Sequence, residues 1–399
     1  MLHPKLGRVL SLVYYHSLVF ALMGTTLGMR SHGKIIRLHK ISSIYLIYSA
    51  FISIGLFLNI YFIIPKGVLD GYIKYNIVLQ WNFFAMVGLR VLAILGCYGT
   101  MWLKRRQIIQ LYKDSLIYWK RFSSIMKAIV SGQELKELQL SLARKLWQKI
   151  MVLYVGFMFS TAVQYQLLGV INKHSVLVLS TRLTQFLQFI AVKMGFYALL
   201  ILLDHQFRVI HLALSVLHEG RGGRKGGRKW KSLRSIALMH RETLQLARRV
   251  FSLFDIANAT VFVNMFMSTL NIFYHAVQYS NNTIKSDGWG KTFGNGLIVF
   301  NLWGTMMLMN MLDGVISSCN NTGQQLKQFS DLPSVSKKLK RELDAFSVQT
   351  RRNHLEYKIC GLVQLDKPAG LGYFGSILSN VIILMQFDLR RQQQPNSHG

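Results

Sequence analysis

The residues with the clearest chemical potential lie in the last hydrophobic segment, which runs from Gly370 to Phe387. Six of its side chains, polar or bulky and apolar, share or flank one helical face: Ser376, Ser379, Asn380, Ile383, Gln386 and Phe387. Hydroxyl and amide groups in hydrocarbon need water or polar partners, and apolar rings one turn apart can close a water-filled path by dewetting. The pattern therefore fits a pore-lining helix, or a buried helix packed through interhelical hydrogen bonds.

A pore built on this segment would lack a carboxylate filter. No Asp or Glu lies between Lys367 and Phe387, and Asp388 follows at the predicted outer mouth beside Arg390 and Arg391. Rings of acidic side chains are one device that makes a pore select cations. Weak selectivity among cations is the expected consequence.

Aromatic and amide side chains gather in the predicted outer halves of the second to sixth hydrophobic segments. They are Trp81, Phe83, Phe84, Gln164, Tyr165, Gln166, Phe186, Phe189, Tyr274, His275, Gln278, Phe300 and Trp303. A pocket for a small amphiphilic molecule needs aromatic walls and a few polar groups, so the set is a candidate ligand site. For any one residue the alternative is ordinary enrichment of aromatics at a membrane interface.

Two cationic residues, Arg90 and Lys193, fall inside the second and fourth segments. Charged groups within a membrane are costly and usually face the interior of a helix bundle. Asp255 and Asp313, near the inner ends of later segments, are the candidate acidic partners. Arg90 and Lys193 are predicted either to contact a ligand or to snorkel and be satisfied by carbonyl groups.

The remaining residues give little support for catalysis. The three histidines between 205 and 218 are spaced six and seven apart, which suits neither a shared helical face nor zinc ligation. The glycines between 222 and 227 lie in a basic linker and do not follow a strand, unlike a phosphate-binding loop. Three cysteines form no metal or disulfide framework. We therefore predict no enzyme activity, no metal and no cofactor.

Composition places the chain in a membrane. Of its 399 residues 51% are hydrophobic and 16% charged, against about 25% charged in soluble domains, and its mean hydropathy is +0.28. The net charge of +31 could indicate nucleic-acid binding. It is split across loops between apolar blocks, so contact with anionic membrane lipids is the better explanation, and no nucleic-acid partner is predicted.

Seven hydrophobic segments are predicted to cross the membrane: 41–64, 79–103, 150–171, 186–203, 257–278, 296–315 and 370–388. The predicted fold is an all-α, polytopic membrane protein with seven transmembrane helices. The other divisions are a cytoplasmic segment at 1–40, a six-helix ligand-binding bundle within 41–315, a cytoplasmic anchor helix in 316–369 and an extracellular tail at 389–399. Within the first, residues 10–27 are predicted to form an amphipathic or re-entrant helix, with an extra span as the alternative.

The loops that carry the positive charge are also helical in pattern. Apolar side chains recur at steps of three and four before the third and fifth spans, for example from Leu135 to Leu146 and from Ile236 to Leu253. Ser334 is predicted to cap a similar helix before the last span. We therefore expect the spans to continue below the membrane and to pack together there.

Charge asymmetry predicts the orientation of the chain. The N-terminal segment and three long loops hold 36 Lys and Arg residues, whereas the three short connections and the tail hold 8. Positively charged loops stay in the cytoplasm, so the N-terminus is predicted inside and the C-terminus outside. Asn281 then begins a glycosylation sequon in the last external loop.

The end of the chain resembles the signature of insect gustatory receptors, which is Thr-Tyr, five hydrophobic residues and Gln-Phe. Residues 379–387 read Ser-Asn-Val-Ile-Ile-Leu-Met-Gln-Phe, so Ser379 and Asn380 replace the usual pair and the Gln-Phe end is intact. The upstream residues Phe346 and Tyr357-Lys-Ile-Cys-Gly-Leu362 are similar to the family's preceding segment.

This resemblance implies a ligand-gated, non-selective cation channel in the plasma membrane of sensory neurons. It implies a homo- or heterotetramer whose last helix lines the pore, with the ligand pocket among the second to sixth spans. The tastant is expected to be bitter or another non-sugar contact cue, because the sugar-sensing branch commonly carries an acidic residue in the terminal motif. A metabotropic chemoreceptor and a small-molecule transporter are the alternatives.

Overall fold

The computed structural model of the protein describes residues 3–20, 27–29, 36–38, 43–58, 77–168, 173–220, 229–280, 288–331 and 336–392. Its helices are α1 (Pro4–Val19), α2 (Ser43–Leu58), α3 (Ile77–Leu103), α4 (Arg105–Lys127), α5 (Gly132–Leu168), α6 (Lys173–His218), α7 (Lys229–Ser280), α8 (Gly288–Asn320), α9 (Thr322–Lys327), α10 (Lys337–Arg352) and α11 (Lys367–Gln392). Two antiparallel hairpins pair β1 (Leu27–Met29) with β2 (Ile36–Leu38) and β3 (Lys358–Ile359) with β4 (Val363–Gln364).

The predicted all-α membrane architecture is confirmed. Within the described ranges, six helices are long and apolar enough to cross a membrane, namely α3, α5, α6, α7, α8 and α11. The first predicted span overlaps α2, an apolar helix of 16 residues, which at about 1.5 Å per residue is shorter than a bilayer core. Residues 59–64 of that predicted span lie outside the described residues.

The boundary predicted for the fourth span is wrong. Residues 172–185 were expected to form an external connection, but α6 begins at Lys173 and is continuous to His218. Lys173 and Arg182 lower the average hydropathy of residues 172–185, and a low hydropathy is typical of a loop between spans. Arg182 is in fact buried inside the bundle, where its charge faces a cavity and not bulk water.

The long helices continue well beyond the length that a membrane needs and pack into a bundle at the end of the molecule that was predicted to be cytoplasmic. α6 and α7 have 46 and 52 residues, and the predicted apolar stripes lie in one shared core that includes Leu142, Leu146 and Ile236. The polar member of the α7 stripe, Thr243, meets the Tyr118 hydroxyl of α4, which also donates to the Met239 carbonyl oxygen at 3.0 Å. The stripes therefore stabilise helix packing below the membrane.

The segment before α11 is tied to α7 and α8 by polar contacts. Both oxygens of Asp255 accept from the Cys360 backbone N–H, at 3.0 and 3.2 Å. Asn320 bridges the backbone N–H and carbonyl of Leu355. The cap of α10 is Ser336, whose Oγ accepts from the Leu339 N–H, and the predicted cap Ser334 lies outside the described residues. These bonds fix the start of the last helix relative to the bundle.

The N-terminal helix α1 packs along α5 and α6 and has 16 residues, too few to span a membrane. The His3 backbone N–H donates to Gln139, low on α5, and the Tyr154 hydroxyl bonds His16, about four turns further along. Part of the predicted segment 10–27 falls outside the described residues. The part within them, up to Phe20, lies against the bundle.

Candidate pore helix and ligand cavity

One side of helix α11 packs against the bundle. Tyr373, Ile377 and Val381 are buried against α7 and α8, at steps of four. Pro368 lies in the first turn, where a missing N–H costs nothing, and the Asp366 carboxylate accepts from the Ala369 N–H. Gly370 lets α11 approach α8 closely, because an added Cβ would lie 2.9 Å from the Met306 sulfur.

The six predicted pore residues lie on the outer side of α11. Ser376, Ser379, Asn380, Ile383, Gln386 and Phe387 are all exposed on the single chain, with Ile383 at 46% and Phe387 at 60%. The Asn380 amide donates to the Ser376 carbonyl oxygen at 2.7 Å, one turn back on its own helix. A stripe of hydroxyl, amide and apolar groups therefore faces away from the protomer.

Asp388 lies at the predicted outer end of α11 but faces α7 and not the exposed stripe of the helix. Only 7% of it is exposed, and its Oδ2 accepts from the Gln278 amide of α7 at 2.7 Å. α11 continues as a helix to Gln392, and position 388 falls seven residues after Val381, on the buried face. The carboxylate therefore joins the outer ends of α7 and α11.

A cavity of about 240 Å³ lies between α3, α5, α6, α7 and α8. Eight of the predicted residues line it: Phe83, Arg90, Gln164, Phe186, Phe189, Lys193, His275 and Phe300. The Gln164 amide donates to Ser160 at 3.1 Å across one turn of α5. Aromatic walls with a few inward polar groups are the usual composition of a small-molecule site.

The other predicted ligand residues are not on this wall. Trp81, Phe84, Tyr165 and Trp303 are exposed on the outside of the bundle, and Tyr274 is fully buried next to the wall residue His275. Gln278 contacts Asp388, and the side chain of Gln166 lies outside the described residues. These residues were predicted from their type alone. Residue type does not show which side of a helix faces the cavity, so the prediction included residues from both sides.

Sequence reasoning identified only part of two helical faces that form the cavity wall. On α6, Arg182, Phe186, Phe189, Lys193 and Tyr197 line the cavity at steps of four, three, four and four. Such spacing is one helical face. Phe186, Phe189 and Lys193 were predicted, whereas Tyr197 was missed and Arg182 was excluded because the predicted fourth span began at residue 186.

The second of these faces belongs to α7. Asn264, Ser268, Asn271 and His275 line the cavity at steps of four, three and four. The Asn82 amide donates to Asn271 Oδ1 at 2.9 Å. A polar row at helical spacing inside an apolar span could have been found from the sequence.

The cationic residues do not have the acidic partners that were considered. Asp255 binds the Cys360 N–H, and Asp313 pairs with Lys367 at 3.1 Å, both away from the cavity. Arg90 Nη2 lies 3.5 Å from the Arg182 carbonyl oxygen, and Lys193 Nζ lies 3.1 Å from the Met265 sulfur. Both cations face the cavity.

A multi-pass helical bundle with an internal cavity and an exposed polar stripe on its last helix fits a membrane receptor, channel or transporter. The family model described as 7tm chemosensory receptor matches residues 10–391. The chain belongs to the insect gustatory receptor family within that group, and it is a receptor, not an enzyme.

Two curated relatives come from Drosophila melanogaster. The chain is 66% identical to putative gustatory receptor 58b over 395 residues, which cover 99% of this chain and 96% of the relative. It is 26% identical to putative gustatory receptor 58a over 360 residues, covering 87% and 90%. The family prediction made from the terminal signature is therefore confirmed.

Solved structures support the same fold. The insect olfactory receptor OR5 from Machilis hrabei matches with a TM-score of 0.70 at 12% identity, over 96% of this chain and 98% of that one. The same receptor in complex with eugenol matches with a TM-score of 0.67 at 11% identity, over 96% and 100%. At this identity the likeness establishes the fold alone.

Proposed function

We propose that the protein is a ligand-gated, weakly selective cation channel in which four copies surround one pore. The observation that carries the proposal is the exposed stripe of α11. Amide and hydroxyl groups facing away from a membrane protomer need water or polar partners, and a rotational axis beside α11 would supply both. Ile383 and Phe387 would form two apolar rings that close the path by dewetting.

Ligand binding reaches the proposed pore through α7, which separates the cavity from α11. Asn264 and Ser268 line the cavity, while the Phe262 and Phe266 rings contact Tyr373 of α11, with centroids 5.3 and 5.4 Å apart. Two residues along a helix turn by about 200°, so these two sets lie on opposite faces of α7. A ligand that moves α7 must therefore displace the packing of Tyr373.

A second connection lies at the outer end of the same helices. Gln278 follows the cavity residue His275 by three positions and donates to Asp388. The bond is buried and its acceptor is a carboxylate. Water therefore does not take the place of the Gln278 amide when the bond breaks, and breaking it is costly. A ligand opens the channel only if it binds the state with the rings parted more tightly than the closed state.

The proposed ligand is a bitter or other non-sugar contact cue, and the proposed location is the plasma membrane of sensory neurons. The solved relative in complex with eugenol supports a small-molecule ligand for this fold. The pore residues lie on a surface that a second copy, or another gustatory receptor, could share. Membrane lipids complete the set of proposed partners.

Whole-cell recording tests the proposal through two isoleucines that are matched in type and exposure. Ile383 and Ile382 are 46% and 54% exposed, but they lie about 100° apart around α11. Ile383→Ala should raise the basal current severalfold, because it widens an apolar constriction. Ile382→Ala should leave the current unchanged.

Two results would contradict the channel proposal. One is an unchanged basal and evoked current in Ile383→Ala with normal surface expression. The other is an equal effect of both alanine substitutions, because an effect without direction around the helix indicates general destabilisation and not a pore.

A further inference from the structure

The wall of the cavity has three cationic side chains and, among the described residues, no acidic one. Arg90, Arg182 and Lys193 line it, whereas no Asp or Glu of the described residues does. Fourteen of the sixteen acidic residues of the chain lie in the described ranges. Asp114, Asp204, Glu242, Asp313 and Glu356 form ion pairs within those ranges, and none of them is on the cavity wall.

The polar contacts of two of these cations leave capacity for an anion. Arg90 Nε is buried and makes no hydrogen bond, and Nη2 has only a long contact of 3.5 Å to a carbonyl oxygen. The Lys193 ammonium contacts a thioether sulfur, which is a weak acceptor. Cations inside a membrane are costly unless an opposite charge or strong acceptors compensate them.

The positions of the α6 residues on the cavity wall determine the shape of a ligand that fits the cavity. Arg182 and Lys193 are eleven residues apart, about three turns or 16 Å along one helical face. Phe186 and Phe189 lie between them on the same face, and Phe83 and Phe300 close the cavity from α3 and α8. An inorganic halide would leave these aromatic walls unused, whereas an elongated aromatic molecule contacts them.

We propose that this cavity binds an aromatic organic anion, whose carboxylate or other oxyanion pairs with Arg90 and Arg182 while its ring lies along Phe186 and Phe189. The inference rests on the proposed function in taking this cavity as the ligand site, and it adds the chemical class of the ligand. Guanidinium groups suit the role because their fixed N–H donors match the geometry of a carboxylate. Lys193 adds a third positive charge at the far end.

The test compares trans-cinnamate with cinnamamide, which has the same shape and no charge. Equilibrium binding is measured on the full chain in phosphatidylcholine nanodiscs near neutral pH, so that no anionic headgroup competes. Cinnamate should bind at least about tenfold more tightly than cinnamamide. Equal affinities, or no saturable cinnamate binding, would overturn the proposal.

Substitutions test which residues cause the preference for cinnamate over cinnamamide. Arg90→Gln and Arg182→Gln should each reduce it to less than about threefold and leave cinnamamide binding unchanged. Arg144→Gln, at an exposed arginine of α5 outside the cavity, is the control and should retain the full preference. A preference that survives both cavity substitutions would overturn the assignment.

Two further measurements keep the test decisive. Thermal melting of each variant reports folding, and Arg182→Lys, which retains the charge, should keep part of the preference. If neither glutamine variant folds, the comparison of anion and amide on the unaltered chain decides alone. Because binding does not depend on conduction, anion-selective binding without current would refute only the channel, and currents evoked solely by uncharged ligands would refute only the ligand class.

Discussion

The bundle at the predicted cytoplasmic end and the cavity between the spans differ in how their charged side chains are paired. In the bundle, Asp204 accepts from Arg208 Nε at 2.8 Å and from the Ser318 hydroxyl at 2.9 Å. In the cavity, Arg90 and Lys193 have no acidic contact among the described residues. The first region uses its charges to hold helices together. Under the proposed ligand class, the second leaves them available to an anionic ligand.

Core substitutions should show the largest contrast. Phe207 is fully buried in the bundle beside the His240 ring, and Phe207→Ala should lower the free energy of unfolding by about 3–5 kcal/mol. Phe186→Ala only enlarges an existing cavity, so it should cost less in stability and should chiefly alter ligand response. Surface expression and thermal melting in detergent separate the two. Equal losses of stability in the two variants would contradict the distinction between a structural bundle and a ligand cavity.

Charge removal should give the next largest difference. Asp204→Asn takes the charge from a carboxylate that holds Arg208, Lys145 and Ser318, and should cost about 1–3 kcal/mol of unfolding free energy. Lys193→Met removes a cation whose hydrogen-bond acceptor among the described residues is the Met265 thioether, and should leave melting unchanged or raise it. A larger loss for Lys193→Met would show that a hidden acidic partner stabilises the cavity.

Acid should weaken the bundle through His240, which lies 17 residues before the predicted fifth span. Burial lowers the pKa of His240 from 6.5 to about 4, although its ring Nε2 donates a weak hydrogen bond to the Cys319 carbonyl oxygen, which raises the pKa; nearby His211 lowers it further. Below pH 6.5 the unfolded chain takes up a proton that the folded bundle excludes, so stability falls with falling pH. The loss should be about 1 kcal/mol by about pH 5.5 and about 3 kcal/mol near pH 4.

Melting temperatures at about pH 7.5 and about pH 5.5 measure this loss. His240→Phe keeps an aromatic ring between Phe207 and Phe346 and should flatten the pH dependence. His205, whose pKa is also lowered to about 4 by burial, and His211, whose pKa burial lowers too, should contribute to the remainder. An unchanged pH dependence in His240→Phe would show that another group controls the acid response.

Much of the fold followed from the sequence because hydropathy and helical spacing act locally. α3 was predicted at 79–103 and runs from Ile77 to Leu103, and the last span falls within α11. The start of α6 was misplaced because an average over the chain treats a buried arginine like one in water. Its burial depends on a cavity that four other helices complete.

The candidate site was less predictable, for a geometrical reason. A residue type identifies neither the side of a helix that faces a cavity nor the partner across it. Trp81 and Phe83 are both aromatic and two residues apart, yet one is exposed outside and the other lines the cavity. Asp388 similarly follows the pore stripe in sequence but faces Gln278.

Cysteine accessibility across α11 tests the central claim most directly. In a Cys360→Ser background, which removes the exposed native thiol of the three described cysteines, cysteine is placed at Phe387 or at Leu389, about 60% and 52% exposed on different sides of the helix. An external cationic thiol reagent should block current through Phe387→Cys channels and leave Leu389→Cys channels unaffected. Block of Leu389→Cys alone, or of both equally, would contradict an aqueous path along the stripe.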